Sequence, residues 1–97
     1  MNLVYHSEAR LEFLCAVEYS ESEFGTGEKL RLNMEEVQKL LIQFPEAGIH
    51  EEDSIWRFPL SDFPFSIIYS YNEAGEEIFV LAFMHNAREP GYWKERL

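Results

Sequence analysis

Residues 55–84 read IWRFPLSDFPFSIIYSYNEAGEEIFVLAFM, and this stretch decides the fold. It contains three runs that are rich in aromatic and β-branched residues, the composition typical of β-strands. Segments 61–64 and 72–76, which separate the runs, supply the turn formers Ser, Asp, Pro, Asn and Gly. The stretch therefore predicts three consecutive antiparallel strands, with a hairpin loop at 72–76. The three predicted strands are Ile55–Leu60, Phe65–Tyr71 and Ile78–Met84.

The residues before this stretch predict one strand and two helices. Leu3–His6 is predicted as a first strand, and Ser7 as the cap of a helix that runs to about Glu23, with Leu14, Val17 and Tyr19 among its apolar positions. Gly25-Thr26-Gly27 ends this helix, and a second begins near Glu28. In the second helix, apolar residues recur every three or four positions, which places them on one face. They are Leu30, Met34, Val37, Leu41 and Phe44.

The order of elements indicates the fold class. Ninety-seven residues make a single domain, here 1–97, with the order β-α-α-β-β-β. The predicted fold is α+β: an antiparallel sheet with a helical hairpin packed on one face.

The last predicted strand is apolar on both faces. Ile78, Val80, Ala82 and Met84 alternate with Phe79, Leu81 and Phe83. One set faces the helices, so we expect the face with Phe79, Leu81 and Phe83 to be covered by the C-terminal tail, by a second subunit in a homodimer, or by a bound partner. We interpret it as a partner-binding face.

Composition narrows the classes of function. The formal charge is −10, and most of the acidic residues lie in 1–53, so strong direct binding to nucleic acid is not expected. No stretch approaches the length of a membrane span, and the first residues do not resemble a signal peptide. Cys15 is the only cysteine, which disfavours a disulfide-bonded secreted domain. We therefore expect a cytoplasmic protein.

Three short motifs suggest sites, and none has the pattern of a cofactor or metal site. His50-Glu51-Glu52-Asp53 is acidic, but adjacent residues cannot all point at one ion, so we interpret it as a solvated loop. Gly25–Lys29 lacks the spacing of a phosphate-binding loop. Cys15 has no second cysteine nearby and is interpreted as an ordinary helix residue. No cofactor and no metal are predicted.

The segment after the last strand holds the only cluster of basic and aromatic residues. One interpretation is a contact surface for a target, in which Arg88, Lys94 and Arg96 form a positive patch. The other is a tail that folds back, so that Tyr92 and Trp93 fill a gap in the core. Both interpretations remain open from spacing alone. The candidate target-binding residues are His85, Arg88, Tyr92, Trp93 and Arg96.

Segments 56–69 and 78–96 resemble the RelE/ParE toxin superfamily, the small toxins of bacterial toxin–antitoxin pairs often labelled plasmid stabilization proteins. The pattern of that family is an arginine in the strand after the second helix, Phe-Pro-Tyr at the next strand, and a last strand that ends in His. Arg, Pro, Tyr-Trp and Arg then follow. In this sequence Phe65 replaces the commoner tyrosine. The matching positions are Arg57, Phe63-Pro64-Phe65, His85, Arg88, Pro90, Tyr92-Trp93 and Arg96.

The resemblance implies a toxin that is neutralised by a cognate antitoxin. RelE-like members cut mRNA on the ribosome without a metal, and the residues here that match such a role are Arg57, Arg88 and Tyr92. ParE-like members act on DNA gyrase, and the tail resembles theirs more closely. The leading hypothesis is therefore a ParE-like protein that binds its target. The alternatives are a RelE-type ribonuclease and a degenerate, non-toxic module that only binds its partner. The acidic charge also predicts that the partner's binding segment is less acidic than is usual in this family, or even basic.

Overall fold

The computed structural model describes residues 1–97 as two helices on a five-stranded sheet. Two short 3-10 helices, Glu73–Gly75 and Tyr92–Arg96, complete the chain, and the Glu73–Gly75 turn lies in the predicted hairpin loop. Neither long helix combines the length and the hydropathy that a membrane crossing requires. The main elements are β1 (Asn2–Tyr5), α1 (Ser7–Phe24), α2 (Gly27–Gln43), β2 (Ile49–Glu52), β3 (Ile55–Pro59), β4 (Phe65–Asn72) and β5 (Glu77–His85).

The sheet confirms the three predicted central strands and corrects its two edges. The strand order is β1-β5-β4-β3-β2. β1 pairs with β5 in parallel, so the sheet is mixed and not purely antiparallel. The parallel pairing is possible because the helical hairpin returns the chain to the end of the sheet at which β1 finished. β2 was predicted as part of an acidic loop. All four of its side chains are exposed, as that prediction required, but its backbone pairs with β3 and forms an edge strand.

The two helices bury different kinds of residue. The predicted face of α2 is confirmed for Leu30, Met34, Val37 and Leu41, which are buried, whereas Phe44 lies beyond the helix and is 60% exposed. In α1 the buried residues are small: Ala9, Ala16 and Ser20. Small residues let α1 lie close to the elements beneath it. Of the apolar positions predicted for this helix, Leu14 and Tyr19 are exposed and Val17 is half-buried.

The cap of α1 also differs from the prediction. Its capping residue is His6, whose Nδ1 accepts a hydrogen bond from the backbone N–H of Glu8 at 3.1 Å. Ser7 is instead the first residue of the helix. An imidazole nitrogen can therefore satisfy one of the free N–H groups that a helix leaves at its start.

A β-bulge in β5 corrects the predicted partner-binding face. Ile68 pairs with Ala82 and Tyr69 with Val80, so Leu81 is an extra residue and the alternation of side chains reverses after it. Phe83 therefore lies on the helix side, at 4.8 Å from Phe65 between ring centroids. Phe79 and Leu81 pack with the cluster on the opposite face. The three residues predicted to share one face are thus divided between two.

The face opposite the helices is covered by the chain's own C-terminal tail. Trp93 is 5% exposed and packs with Ile55, Ile68, Leu81 and Met84. The coverings predicted for this face were the tail, a second subunit or a bound partner. The structure shows the tail in this position. The interpretation of Trp93 as a residue that fills the core is confirmed.

Candidate functional site

The C-terminal tail turns back on the sheet at Gly91. Gly91 has a φ of 81°, in the left-handed region that favours glycine, and it begins the 3-10 helix Tyr92–Arg96. This helix directs Trp93 into the core, whereas Tyr92 and Arg96 extend towards α1. The tail therefore connects the sheet to the first helix.

The polar groups of the tail converge on one carboxylate, that of Glu12 in α1. Arg96 donates two hydrogen bonds to it, at 2.8 Å to Oε1 and 3.1 Å to Oε2, and the Tyr92 hydroxyl donates at 2.7 Å. Arg88 Nη1 lies 3.1 Å from Oε2, and the backbone N–H of Phe83 donates to Oε1 at 3.2 Å. The Glu12 side chain is 15% exposed and that of Arg96 13%. We call these five residues the Glu12 cluster.

The electrostatics of the Glu12 cluster favour the ionised forms of Glu12 and Arg96 and the neutral form of Tyr92. Burial alone would raise the pKa of Glu12, but the hydrogen bonds from Arg96, Tyr92 and Phe83 outweigh it and hold the pKa below its ordinary value. Burial, together with the hydrogen bond to Glu12, raises the pKa of Tyr92 to about 12. The hydrogen bond to Glu12 also raises the pKa of Arg96. Glu12 is therefore ionised and Tyr92 protonated at neutral pH.

The Glu12 cluster also protects the backbone of β5 where β1 ends. β1 pairs with β5 only as far as Val80, whose carbonyl accepts from the N–H of His6. Beyond that point Arg96 donates to the carbonyl of Leu81 at 2.9 Å, and Glu12 accepts from the N–H of Phe83. The ion pair thus replaces the hydrogen bonds of a neighbouring strand along an open edge.

The predicted positive patch does not form as expected. Arg96 is enclosed within the Glu12 cluster, and Lys94 pairs with Glu52 of β2 at 3.2 Å. Arg88 is half exposed, and its guanidinium lies 3.5 Å from the centroid of the Tyr92 ring. Among the candidate target-binding residues, His85 and Arg88 are therefore at the surface, Tyr92 and Arg96 are half-buried, and Trp93 is buried.

A groove between α1 and the end of β5 lies beside these surface residues. One part of about 390 Å³ is lined by Cys15, Tyr19, Phe65, His85 and Arg88, among others. An adjoining part of about 220 Å³ shares Tyr19, Phe65 and His85 and extends to the Phe63-Pro64 turn. The ring of His85 contacts that of Phe65 edge-on at 5.3 Å. The groove therefore combines aromatic walls with an arginine and a histidine at its rim.

Arg57 lies at a different place from the other candidate catalytic residues. Its Nε donates to Glu51 Oε1 at 2.6 Å, and it lines a cleft of about 270 Å³ with Ile68, Asn86 and Trp93. Arg88 and Tyr92 do not line this cleft; they line a different cavity together. The structure thus brings Arg88 and Tyr92 together but does not bring Arg57 to them. The acidic partner of Arg57, Glu51, lies on the edge strand β2.

Glu12 is the central residue that sequence reasoning missed. It lies on α1 beside the buried residues Ala9 and Ala16, three or four positions from each. The sequence signal for Glu12 was a carboxylate next to a stripe of small buried residues. A charged group in such a buried position is found only when it is paired. Its partners lie 71 to 84 residues away along the chain, so spacing alone did not identify them.

Comparison with known proteins identifies a related fold. The structure matches a chain of a solved structure, the chromosomal ParDE TA (toxin–antitoxin) system from P. aeruginosa, with a TM-score of 0.73. The match covers 88% of this chain and 95% of that chain, at 21% sequence identity. No protein-family model matches the sequence, and neither does any curated protein. The fold expected from the RelE/ParE resemblance, two helices on one sheet, is therefore confirmed at the level of structure.

Proposed function

We propose that this chain is the toxin-like component of a type II toxin–antitoxin pair and that it acts, as ParE-like proteins do, by binding a macromolecular target. The observation that carries the proposal is the fold shared with a chain of a ParDE system over nearly the whole of both chains. The His85–Arg96 tail, which resembles the ParE side of the family, supports it further. DNA gyrase is the proposed target.

The arrangement of basic residues favours binding over RNA cleavage. A metal-independent ribonuclease needs several cationic groups around one phosphate in the transition state. Here Arg57 is paired with Glu51 in one cleft, while Arg88 and Arg96 are directed at Glu12 in another place. Arg88 and Arg96 line one cavity, but both are paired with Glu12, so neither that cavity nor the cleft at Arg57 offers the phosphate an unpaired arginine.

Exposed apolar side chains on the helices support a protein partner. Leu11, Leu14 and Tyr19 on α1 and Leu32 on α2 are each more than 40% exposed. Because the tail covers the sheet face first expected to receive the antitoxin, we place the antitoxin mainly on these helices.

The experiment that tests this function is expression in a bacterial host, with and without the adjacent small reading frame. We expect growth arrest when the chain is expressed alone, relief of the arrest by the neighbouring product, and co-purification of the two. The purified protein should inhibit DNA supercoiling by gyrase. Cleaved mRNA with unaffected gyrase would instead indicate a RelE-type ribonuclease.

A non-toxic binding module is the second candidate function. The net charge of −10 and the engagement of Arg96 by an internal carboxylate favour it, because both reduce the positive surface available to a target. A stable complex with the neighbouring product, without growth arrest at any expression level, would select this function.

Replacement of Arg88 distinguishes a target-binding role of this residue from a purely structural one. We expect Arg88→Ala to weaken inhibition of gyrase about ten-fold, since a half-exposed arginine stacked on an aromatic ring is typical of interface hot spots. Its thermal unfolding should change little, because Arg96 still satisfies Glu12. Dose–response curves of supercoiling inhibition measure the effect.

The matched control for Arg88 is Arg10→Ala. Arg10 is exposed on α1, and its replacement removes the same charge away from the groove. Equal inhibition by wild type and Arg88→Ala would remove Arg88 from the target-binding surface.

A further inference from the structure

A second groove lies where α2 ends, away from the C-terminal tail. It has a volume of about 740 Å³. Its apolar walls include Leu40, Phe44, Pro45 and Tyr71, and Glu46 and Glu73 stand beside them. Phe44, which was predicted to share the apolar face of the second helix, is 60% exposed here. The groove therefore presents an aromatic surface next to two carboxylates.

One wall of this groove is held in place by a buried tyrosine. Tyr69 is fully buried, and its hydroxyl donates to the carbonyl of Pro45 at 2.6 Å and accepts from the N–H of Gly48 at 3.2 Å. A side chain at Gly48 would meet that hydroxyl at 2.7 Å and the carbonyl of Arg57 at 2.8 Å, so only glycine fits. The loop after α2 is thus fixed by the core, and the groove is preformed.

The charges around the groove are all of one sign. Glu46 and Glu73 are exposed and have no ion-pair partner in the structure. The last turn of α2 contains no basic residue, so the negative end of its dipole and its free carbonyl groups are not neutralised within the turn. Burial raises the pKa of Tyr71, and the nearby carboxylates of Glu73 and Glu46 add to the rise. A positively charged group would therefore complement the negative charge around this groove.

We propose that this groove binds a segment of the partner protein in which an arginine or lysine side chain adjoins an apolar side chain. The cation lies between Glu46 and Glu73, over the face of Phe44 or Tyr71, where the ring quadrupole adds to the attraction. The apolar side chain packs on Leu40 and Pro45. That a partner exists rests on the proposed function, whereas the chemistry of its segment follows from the groove alone. An acidic segment is disfavoured, because like charges would face each other.

The test uses short peptides and the whole protein, so it is independent of toxicity. The probe is acetyl-Leu-Arg-Ile-Arg-amide, and its counterparts carry Gln or Glu in place of both Arg residues. We expect the Arg peptide, added at millimolar concentration to ¹⁵N-labelled protein, to cause saturable NMR shifts around Leu40–Ala47 and Tyr71–Glu73. The Gln peptide should bind more weakly and the Glu peptide not measurably.

Two charge-matched variants show whether the local carboxylates matter. Glu46→Gln with Glu73→Gln should weaken binding of the Arg peptide roughly three- to ten-fold, the effect of losing two exposed ion pairs. Glu18→Gln with Glu23→Gln changes the net charge equally on α1, outside the groove, and should leave binding unchanged. Phe44→Ala should weaken binding through loss of the apolar surface.

Several outcomes would overturn the proposal. These are shifts elsewhere on the protein, equal binding of the Glu peptide, or an equal loss in both double variants. A dimer that dissociates when the Arg peptide is added would show that a second copy fills the groove. Failure of the peptide with intact growth arrest would discard the groove and keep the function. Binding of the peptide without growth arrest would keep the groove and discard the function.

Discussion

Replacing Glu12 by alanine should lower the free energy of unfolding by about 3 kcal/mol, because Arg96 would then keep a largely buried charge without a partner. Arg96 is 13% exposed, and Tyr92 and the N–H of Phe83 would lose their acceptor at the same time. The open edge of β5 would also lose part of its protection. Urea unfolding followed by circular dichroism measures the loss.

The control for Glu12 is Glu18→Ala on the exposed side of the same helix, which should change stability by less than about 0.5 kcal/mol. A double-mutant cycle tests the mechanism. Glu12→Ala combined with Arg96→Ala should destabilise less than the sum of the two single changes, because the unpaired charge disappears with its partner. Strict additivity would show that the two residues do not act as a pair.

The lowered pKa of Glu12 adds a dependence on pH. A carboxyl whose pKa is lower in the folded than in the unfolded state stabilises the protein above its ordinary value of 4.5, and this stabilisation is lost as the pH falls through the folded-state pKa. The difference in stability between wild type and Glu12→Gln should therefore be full at pH 7 and shrink below pH 4.5. A difference that is constant from pH 7 to pH 3 would contradict this account.

Local patterns in the sequence predicted most of the elements. The 3.6-residue repeat of α2 and the runs of aromatic and β-branched residues in β3, β4 and β5 are signals that each segment carries by itself. β2 carries no such signal, because all four of its side chains are exposed and two are acidic, and only its backbone pairing with β3 makes it a strand. Its existence depends on a neighbour and not on its own composition.

The faces of β5 depended on one residue that no pattern revealed. Strict alternation places Phe79, Leu81 and Phe83 together, whereas the bulge at Leu81 moves Phe83 to the helix side. A run that is apolar at every position gives no contrast from which to read such a shift. A predicted binding face on a continuously apolar strand is therefore weaker evidence than one on an alternating strand.

Sequence patterns predicted which types of residue form the candidate site better than they predicted what each residue does there. The basic and aromatic residues of the tail do lie together, as the motif indicated, but Tyr92 and Arg96 face inward because a carboxylate from α1 meets them. A cluster of like charges in sequence predicts a surface patch only if no opposite charge is brought to it by the fold. For Arg88 and His85 the surface role stays a prediction.

Trp93→Ala should have the largest effect of any change in the tail, lowering the free energy of unfolding by about 4 kcal/mol. Trp93 is 5% exposed and fills the centre of the cluster formed by Ile55, Ile68, Leu81 and Met84. Truncation leaves a cavity under the 3-10 helix and exposes a sheet face that is otherwise covered. Urea unfolding gives the magnitude, with circular dichroism as the probe because the substitution also removes one of the two tryptophans.

The loss of Trp93 should also release the tail before the rest of the protein unfolds. Lys94 and Arg96 follow it directly, and both are held in ion pairs that depend on the position of the tail. Trypsin under native conditions should therefore cut Trp93→Ala at these residues at least ten times faster than wild type, since cleavage follows the population of the open form. Trp93→Phe, which keeps an aromatic ring in the cluster, should retain most of the stability and resist trypsin. If Trp93→Ala is as resistant to trypsin as wild type and loses less than about 1 kcal/mol, the tail is held by the Glu12 cluster alone.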